Sequence, residues 1–271
     1  MRGPLRFFEK KERPVIVHYH LFKCAGTSVE QILEKEFGED LFHLDRETPY
    51  ERIFDQDVLD ELNKNLTVKA VTSHQLRMPL PKQKGLKVIP VLFLRHPLDR
   101  IHSVYKFDRA RGPLTPDAEI AVENDFAGYL RIQMAEKKQV VNFHVKNITD
   151  AWDQSEGKIE NIGEKAHLAR ALGVLGQLPV VGVVERYPES ASAYQSLIAT
   201  SFRNFKFQVT ESNVSPGRRS NLEDRLAEMQ DEIGEDLFEE LSSVNASDFA
   251  LYQAANEHLD AVLAQKIIAH E

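Results

Sequence analysis

The sequence predicts an α/β fold: a parallel sheet covered by helices on both faces, followed by a helical C-terminal part. Short β-branched runs recur between segments of helical period. Two of those runs pass directly into turns rich in anion-binding groups, and beyond residue 221 the apolar residues recur only at helical spacing.

The elements follow in order. Residues 14–20, Pro14-Val15-Ile16-Val17-His18-Tyr19-His20, read as a first strand. Beyond a turn at 22–28, Val29, Ile32, Leu33 and Phe37 recur at helical spacing and predict a helix over 27 to about 36. Residues 51–63 read as helical, and 68–73 as a second strand ending at His74. A third strand over 88–94 runs into a helix that begins near Pro97, a residue suited to the first helical turn. Residues 180–184 are a further buried strand. From Asn221 onward, Leu222, Leu226, Met229, Ile233, Leu237 and Leu241, and then Leu251, Ala255, Leu259 and Leu263, form core stripes. With 271 residues, 42% of them hydrophobic, the chain has enough apolar surface to bury a core as one domain. That domain spans 1–271, with 1–13 as an N-terminal tail, and no linker, internal repeat or low-complexity run divides it.

The turn Phe22-Lys23-Cys24-Ala25-Gly26-Thr27-Ser28 has the makings of a phosphate cradle. A helix N-terminus offers N–H groups and a favourable dipole to an oxyanion, and Gly26 allows close approach of backbone. Lys23 adds a mobile charge, while Thr27 and Ser28 add hydroxyl donors. An ordinary capped helix after a core strand would share several of these features. The lysine stands three residues before the glycine, unlike the Gly-Lys-Ser/Thr order of the common phosphate loop, and no apolar strand ends in an aspartate placed to hold magnesium. The expected ligand is therefore a phosphate ester that needs no metal. In the second turn, Arg95-His96-Pro97-Leu98-Asp99-Arg100-Ile101-His102-Ser103-Val104-Tyr105, Arg95 ends a strand and Ser103 lies two helical turns on from His96, so the two can converge on one phosphate. Arg100 and Tyr105 either support that site or pack. Two such turns suggest a ligand with two separate phosphate clusters.

The balance of 34 Lys and Arg against 42 Asp and Glu, a net charge of −8, disfavours a general nucleic-acid or anionic-membrane binder. Local basic clusters remain, at Lys82, Lys84 and Lys87 and at Arg218 and Arg219. Cys24 is the one cysteine, so no intrachain disulfide forms. Its place in the phosphate turn makes a thiol nucleophile worth weighing, against the fact that direct transfer needs no covalent intermediate. No segment is apolar enough for a signal peptide or a membrane span, so the expected location is cytoplasmic. Asn-x-Ser/Thr triplets at Asn65, Asn147, Asn213 and Asn245 then read as chance matches. No histidine or cysteine pair stands at metal spacing, and the metal expectation is none.

Taken together, the two turns resemble those of sulfotransferases that use 3′-phosphoadenosine 5′-phosphosulfate (PAPS), in particular the carbohydrate, heparan 2-O-sulfotransferase-like branch, as a bacterial-type soluble member. That branch reads His-Ile-Pro-Lys-Thr/Cys-Ala-Gly-Thr-Ser. His20, Lys23, Cys24, Ala25, Gly26, Thr27 and Ser28 match it, with Phe22 in place of the proline. The segment Glu185-Arg186-Tyr187 after the 180–184 strand is similar to a Glu-Arg-Phe-like turn of the family, and Asp248-Phe249-Ala250-Leu251-Tyr252 to its closing Asp-x-x-Leu-Tyr helix. The resemblance spans roughly 14–260 and leaves 38–66 and 108–178 without aligned motifs, where acceptor specificity is expected.

The fold it implies is a P-loop-like parallel β-sheet flanked by helices. Lys23 to Ser28 would hold the 5′-phosphosulfate, and Arg95 and Ser103 the 3′-phosphate. The reaction implied moves a sulfuryl group from PAPS to a hydroxyl of a glycan or small molecule, leaving adenosine 3′,5′-bisphosphate (PAP). It would have Lys23 at the leaving phosphate and His74 as general base, a role filled by histidine in the Gly-His segment that Ser73-His74 resembles. His20 is the alternative base. Arg218 and Arg219 sit in a loop punctuated by Pro216 and Gly217 that could close over the adenosine phosphates. Two other readings stay open, a metal-dependent nucleotide phosphotransferase or hydrolase and a non-catalytic nucleotide- or glycan-binding protein. Acceptor identity and oligomeric state are not encoded in these motifs.

Overall fold

A computed structural model of the chain describes residues 12–48, 51–136, 139–150, 163–208 and 221–270. Five parallel strands, β1 (Arg13–Tyr19), β2 (Leu41–His43), β3 (Ala70–Ser73), β4 (Leu86–Leu94) and β5 (Gly182–Val183), stand in the order β2-β3-β1-β4-β5. Helices flank the sheet and make up most of the C-terminal part, so the fold class is the one the sequence predicts. β1 lies at the centre because Val15, Ile16 and Val17 are fully buried, and Val17 pairs with Val71 on one side and Pro90 on the other. β5 pairs with β4 only at Phe93 and Leu94, so Pro90 lies on a stretch without a partner on that side, where a missing N–H is tolerated.

After β1 the chain moves outward to β2 and β3, then crosses back to β4 on the other side of β1. Adjacent strands whose connections leave in opposite directions open a crevice at their carboxyl ends. The turns after β3, β1 and β4 carry His74, Lys23 and Arg95, and they lie side by side along that edge.

Helix α1 (Gly26–Phe37) buries Val29, Ile32 and Leu33 and ends at Gly38. Several expected boundaries shift. Ile53 forms an isolated bridge with Leu76, so α2 runs over Asp55–Lys64, with Asp57 accepting the Phe54 N–H at 2.9 Å. The expected 180–184 strand shortens to β5 and continues as a 3-10 turn over Val184–Arg186 before α8 (Tyr187–Ala199). Between β4 and β5 lie α3 (Pro97–Arg111), α4 (Pro116–Glu123), α5 (Phe126–Ala135), α6 (Phe143–Thr149) and α7 (Gly163–Leu175). The stripe from Leu222 to Leu241 is two helices, α9 (Leu222–Ile233) and α10 (Glu235–Val244). They break at Gly234, whose φ of 82° suits glycine. Helix α11 (Ala246–His270) closes the chain. Leu98, Tyr105, Phe126, Tyr129, Met229 and Leu241 form a second apolar cluster apart from the one around the sheet, and it fixes the helical part against α3.

Candidate active site

The turn after β1 is built from backbone that side chains rarely adopt. Lys23 and Ala25 are left-handed, with φ of 63° and 59°, a conformation that costs about 1–2 kcal/mol per residue without compensation. The compensation comes from neighbours: Arg95 Nη1 donates to the Lys23 carbonyl at 3.1 Å, and the Cys24 N–H donates to Leu21 at 3.1 Å. With left-handed residues on either side, Cys24 is turned away from its neighbours. Lys23, Ala25, Gly26, Thr27 and Ser28 line a cavity of about 270 Å³. Cys24 is outside that wall, 2% exposed, and its thiol faces His144 of α6.

Arg95 and Ser103 also reach this cavity, as the sequence reading of the second turn requires. Arg95 is 5% exposed and gives two contacts to Asp99, Nε at 2.9 Å and Nη2 at 2.8 Å. Asp99 in turn accepts Arg225 of α9, Nε at 2.9 Å and Nη2 at 3.1 Å. The guanidinium is thus oriented by a carboxylate that it shares with a second arginine. Nothing in the sequence around Arg225 marks it; only the fold brings it to Asp99. Lys23 Nζ lies 4.3 Å from the Phe107 ring centroid, which holds the ammonium at the mouth of the cavity. Arg218 and Arg219 lie outside the described residues.

A second, larger cavity of about 960 Å³ adjoins the first, and Phe22, His74 and Phe107 belong to the walls of both. Its far wall is charged in both signs. Arg46 pairs with Asp57 at 2.6 Å, Arg52 with Asp150 at 2.7 Å, and Arg77 approaches the same Asp150 at 3.4 Å. Asp45 accepts the Ser73 hydroxyl at 2.8 Å. Most of this wall comes from 45–52 and 107–147, stretches without recognisable motifs, and the residues were missed because they become neighbours only in the folded chain.

The histidines sort themselves by burial. His18 stacks on His20 with ring centroids 5.2 Å apart, His74 lies tilted against His20 at 3.7 Å, and His74 Nδ1 lies 3.0 Å from the His20 carbonyl. Burial, then the neighbouring histidines, push His20 down to about 2, and burial with His74 pushes His18 down to about 3. Both rings are neutral at physiological pH. His74 is exposed where the two cavities meet and lines both, whereas His20 is buried and lines only the smaller one.

The two late segments meet behind the second turn. Tyr252 donates its hydroxyl to Glu185 Oε2 at 3.0 Å, and the same carboxylate accepts the His96 N–H at 3.2 and 3.3 Å. Burial above all raises the Glu185 pKa. Among the described residues no group of three or more His, Cys, Asp or Glu side chains could hold a metal ion, and no helix is long and apolar enough to cross a membrane.

No family model matches the chain. It is similar to an uncharacterized protein of Archaeoglobus fulgidus, with 33% identity over 252 residues that cover 89% of this chain and 95% of that one.

Proposed function

The chain belongs to one family with that archaeal protein, and from the site it carries we propose that it is a PAPS-dependent O-sulfotransferase. The observation that supports this reading most is the meeting of two cavities at His74. One is small and lined by the Lys23–Ser28 turn, Arg95 and Ser103; the other is large and lined by polar groups and aromatic rings. A group-transfer enzyme needs a donor site and an acceptor site that share the reacting atoms, and a proton acceptor where they join.

In the proposed reaction the donor's phosphosulfate lies on the Lys23–Ser28 turn and its 3′-phosphate against Arg95 and Ser103. The acceptor hydroxyl enters from the larger cavity and attacks sulfur in line. The sulfur–oxygen bond to the 5′-phosphate breaks as the new one forms, the hydroxyl proton passes to His74, and Lys23 meets the charge that grows on the leaving phosphate. No step calls for a metal. The acceptor is a hydroxyl of a sugar or other small molecule, since planar amide, carboxylate and guanidinium groups beside Phe22, Phe107 and Phe143 suit a polyhydroxylated ligand.

Thermal stabilisation by PAP in the absence of magnesium, followed by transfer of label from radiolabelled PAPS across an acceptor panel, tests the proposal. A magnesium-dependent preference for ATP would favour a phosphotransferase instead. Binding of PAP without transfer to any acceptor would favour a binding protein.

A further inference from the structure

Phe107 of α3 belongs to the walls of both cavities, and two cations lie against its ring, one from each cavity. Lys23 Nζ is 4.3 Å from the ring centroid and Arg111 Cζ is 5.0 Å from it. Lys23 lines the smaller cavity and not the larger, while Arg111 lines the larger and not the smaller. Phe22, the other aromatic residue common to both walls, meets Phe107 in a T-shaped contact, with centroids 5.5 Å apart and ring planes at 75°. These two rings and His74 stand where one cavity passes into the other.

The arrangement follows from helical spacing on one side and from the turn on the other. Ser103, Phe107 and Arg111 are each four residues apart on α3 and so share one face of the helix. Along that face Ser103 lines the smaller cavity, Phe107 both and Arg111 the larger, so α3 runs from one cavity to the next. Lys23 comes from the turn after β1. Its left-handed backbone, with the carbonyl held by Arg95 at 3.1 Å, sets where the side chain leaves the chain. The ammonium then hangs on a flexible four-carbon stem, which the backbone alone does not fix. The negative face of an aromatic ring attracts an ammonium, and does so more strongly where water is excluded. Phe22 packs against that ring and removes water from its side.

On the reading that the smaller cavity takes PAPS, we propose that Phe107 is the positioning residue of Lys23: its ring holds the ammonium at the junction of the two cavities, where the bond from sulfur to the 5′-phosphate oxygen breaks, before the donor arrives. Phe107 acts through Lys23. An ammonium fixed in advance meets the charge on the leaving phosphate without reorganisation, and gives up less rotamer freedom when the donor binds.

Two measurements test the proposal, and the first needs no ligand. In the wild-type protein the ε-methylene protons of Lys23, assigned by NMR against Lys23→Arg, should be shifted upfield by the ring, and Phe107→Leu should return them to the ordinary lysine position. An ordinary position in wild type overturns the proposal whatever the protein binds. The second is a double-mutant cycle on PAP affinity and sulfuryl transfer, with thermal melts to establish that each variant folds. Phe107→Leu should bind PAP about five-fold more weakly and transfer about ten-fold more slowly, and Phe107→Tyr, which keeps the ring face, should restore both. In the Lys23→Ala background Phe107→Leu should have no further effect. Equal losses in the two backgrounds overturn the proposal, since a ring that only supports the wall acts without the lysine. Tighter PAP binding by Phe107→Leu also overturns it, because the ring then holds the ammonium away from the phosphate. If Phe107→Leu does not fold, the wild-type shift decides. If wild type does not bind PAP, the sulfotransferase reading fails and the coupling of Phe107 to the donor fails with it, while the lysine shift still decides whether the ring holds the ammonium.

Discussion

The Cβ that Gly26 lacks would fall 1.7 Å from Cδ2 of His20. The ring is hemmed in by His18 and His74, with centroids 5.2 Å and 3.7 Å away, so it has little room to yield. What approaches Gly26 closely is therefore the side chain of His20, the first residue after β1.

Gly26→Ala is expected to destabilise the protein by about 1–3 kcal/mol through overpacking, a fall of several degrees in Tm, and to weaken PAP binding by disturbing the turn. The double variant Gly26→Ala/His20→Ala should recover part of the lost Tm. Thermal melts of both check this, and a Gly26→Ala protein as stable as wild type would show that the ring moves aside freely.

Arg95→Ala is expected to weaken PAP by about 2–3 kcal/mol, because a charge-assisted partner of the 3′-phosphate is lost while Asp99 keeps Arg225. Adenosine 5′-phosphosulfate has no 3′-phosphate and should bind the variant nearly as it binds wild type. Calorimetry with both ligands decides, and an equal loss for the two would remove Arg95 from the 3′-phosphate.

His74→Ala should leave PAP affinity nearly unchanged and cut turnover by about 100-fold or more. The basis is its position on the shared rim of the two cavities, outside the turns that carry Lys23 and Arg95. His20 also lines the smaller cavity, but burial and then the neighbouring histidines lower its pKa and make it a weak proton acceptor. Near wild-type turnover in a folded variant would transfer the base role to another group.

Asp108 gives a prediction about stability and pH. Burial first, then the charge of Asp117, raise its carboxyl from 3.8 to about 6. The unfolded chain releases this proton near pH 3.8 and the folded chain holds it to about pH 6, so the contribution is whole below 3.8 and is lost as pH rises through about 6. Asp108→Asn stays neutral throughout. It should raise Tm above wild type at pH 7, and the gain should fade as pH falls toward 3.8. A Tm gain of the same size at both ends of that range would mean that the carboxyl is not shifted.

Much of the smaller cavity was legible because its parts are local. A strand, a turn and an amphipathic helix follow one another within 14–37 and again within 88–111, and hydrophobic period alone marks them. Once those segments are parallel neighbours, their carboxyl-end turns must adjoin, so Lys23, Arg95, Ser103 and His74 come to one edge. The 38–66 stretch was harder to read. Strand β2 has three residues, too few for a period to declare itself, and Ile53 is drawn out of the expected helix by its bridge to Leu76.

The direction of Cys24 was beyond local reading, because it depends on two left-handed residues on either side that Arg95 and the rest of the fold hold in place. Asp248 and His144 stand 104 residues apart, and Arg225 and Asp99 stand 126 apart. The sequence by itself determined which groups can bind an anion and which segments carry them, because propensity and periodicity act over a few residues. Only the tertiary structure decided which side of the turn each side chain serves, which charges share a carboxylate and where a second cavity opens, because those follow from the packing of helices far apart in the chain.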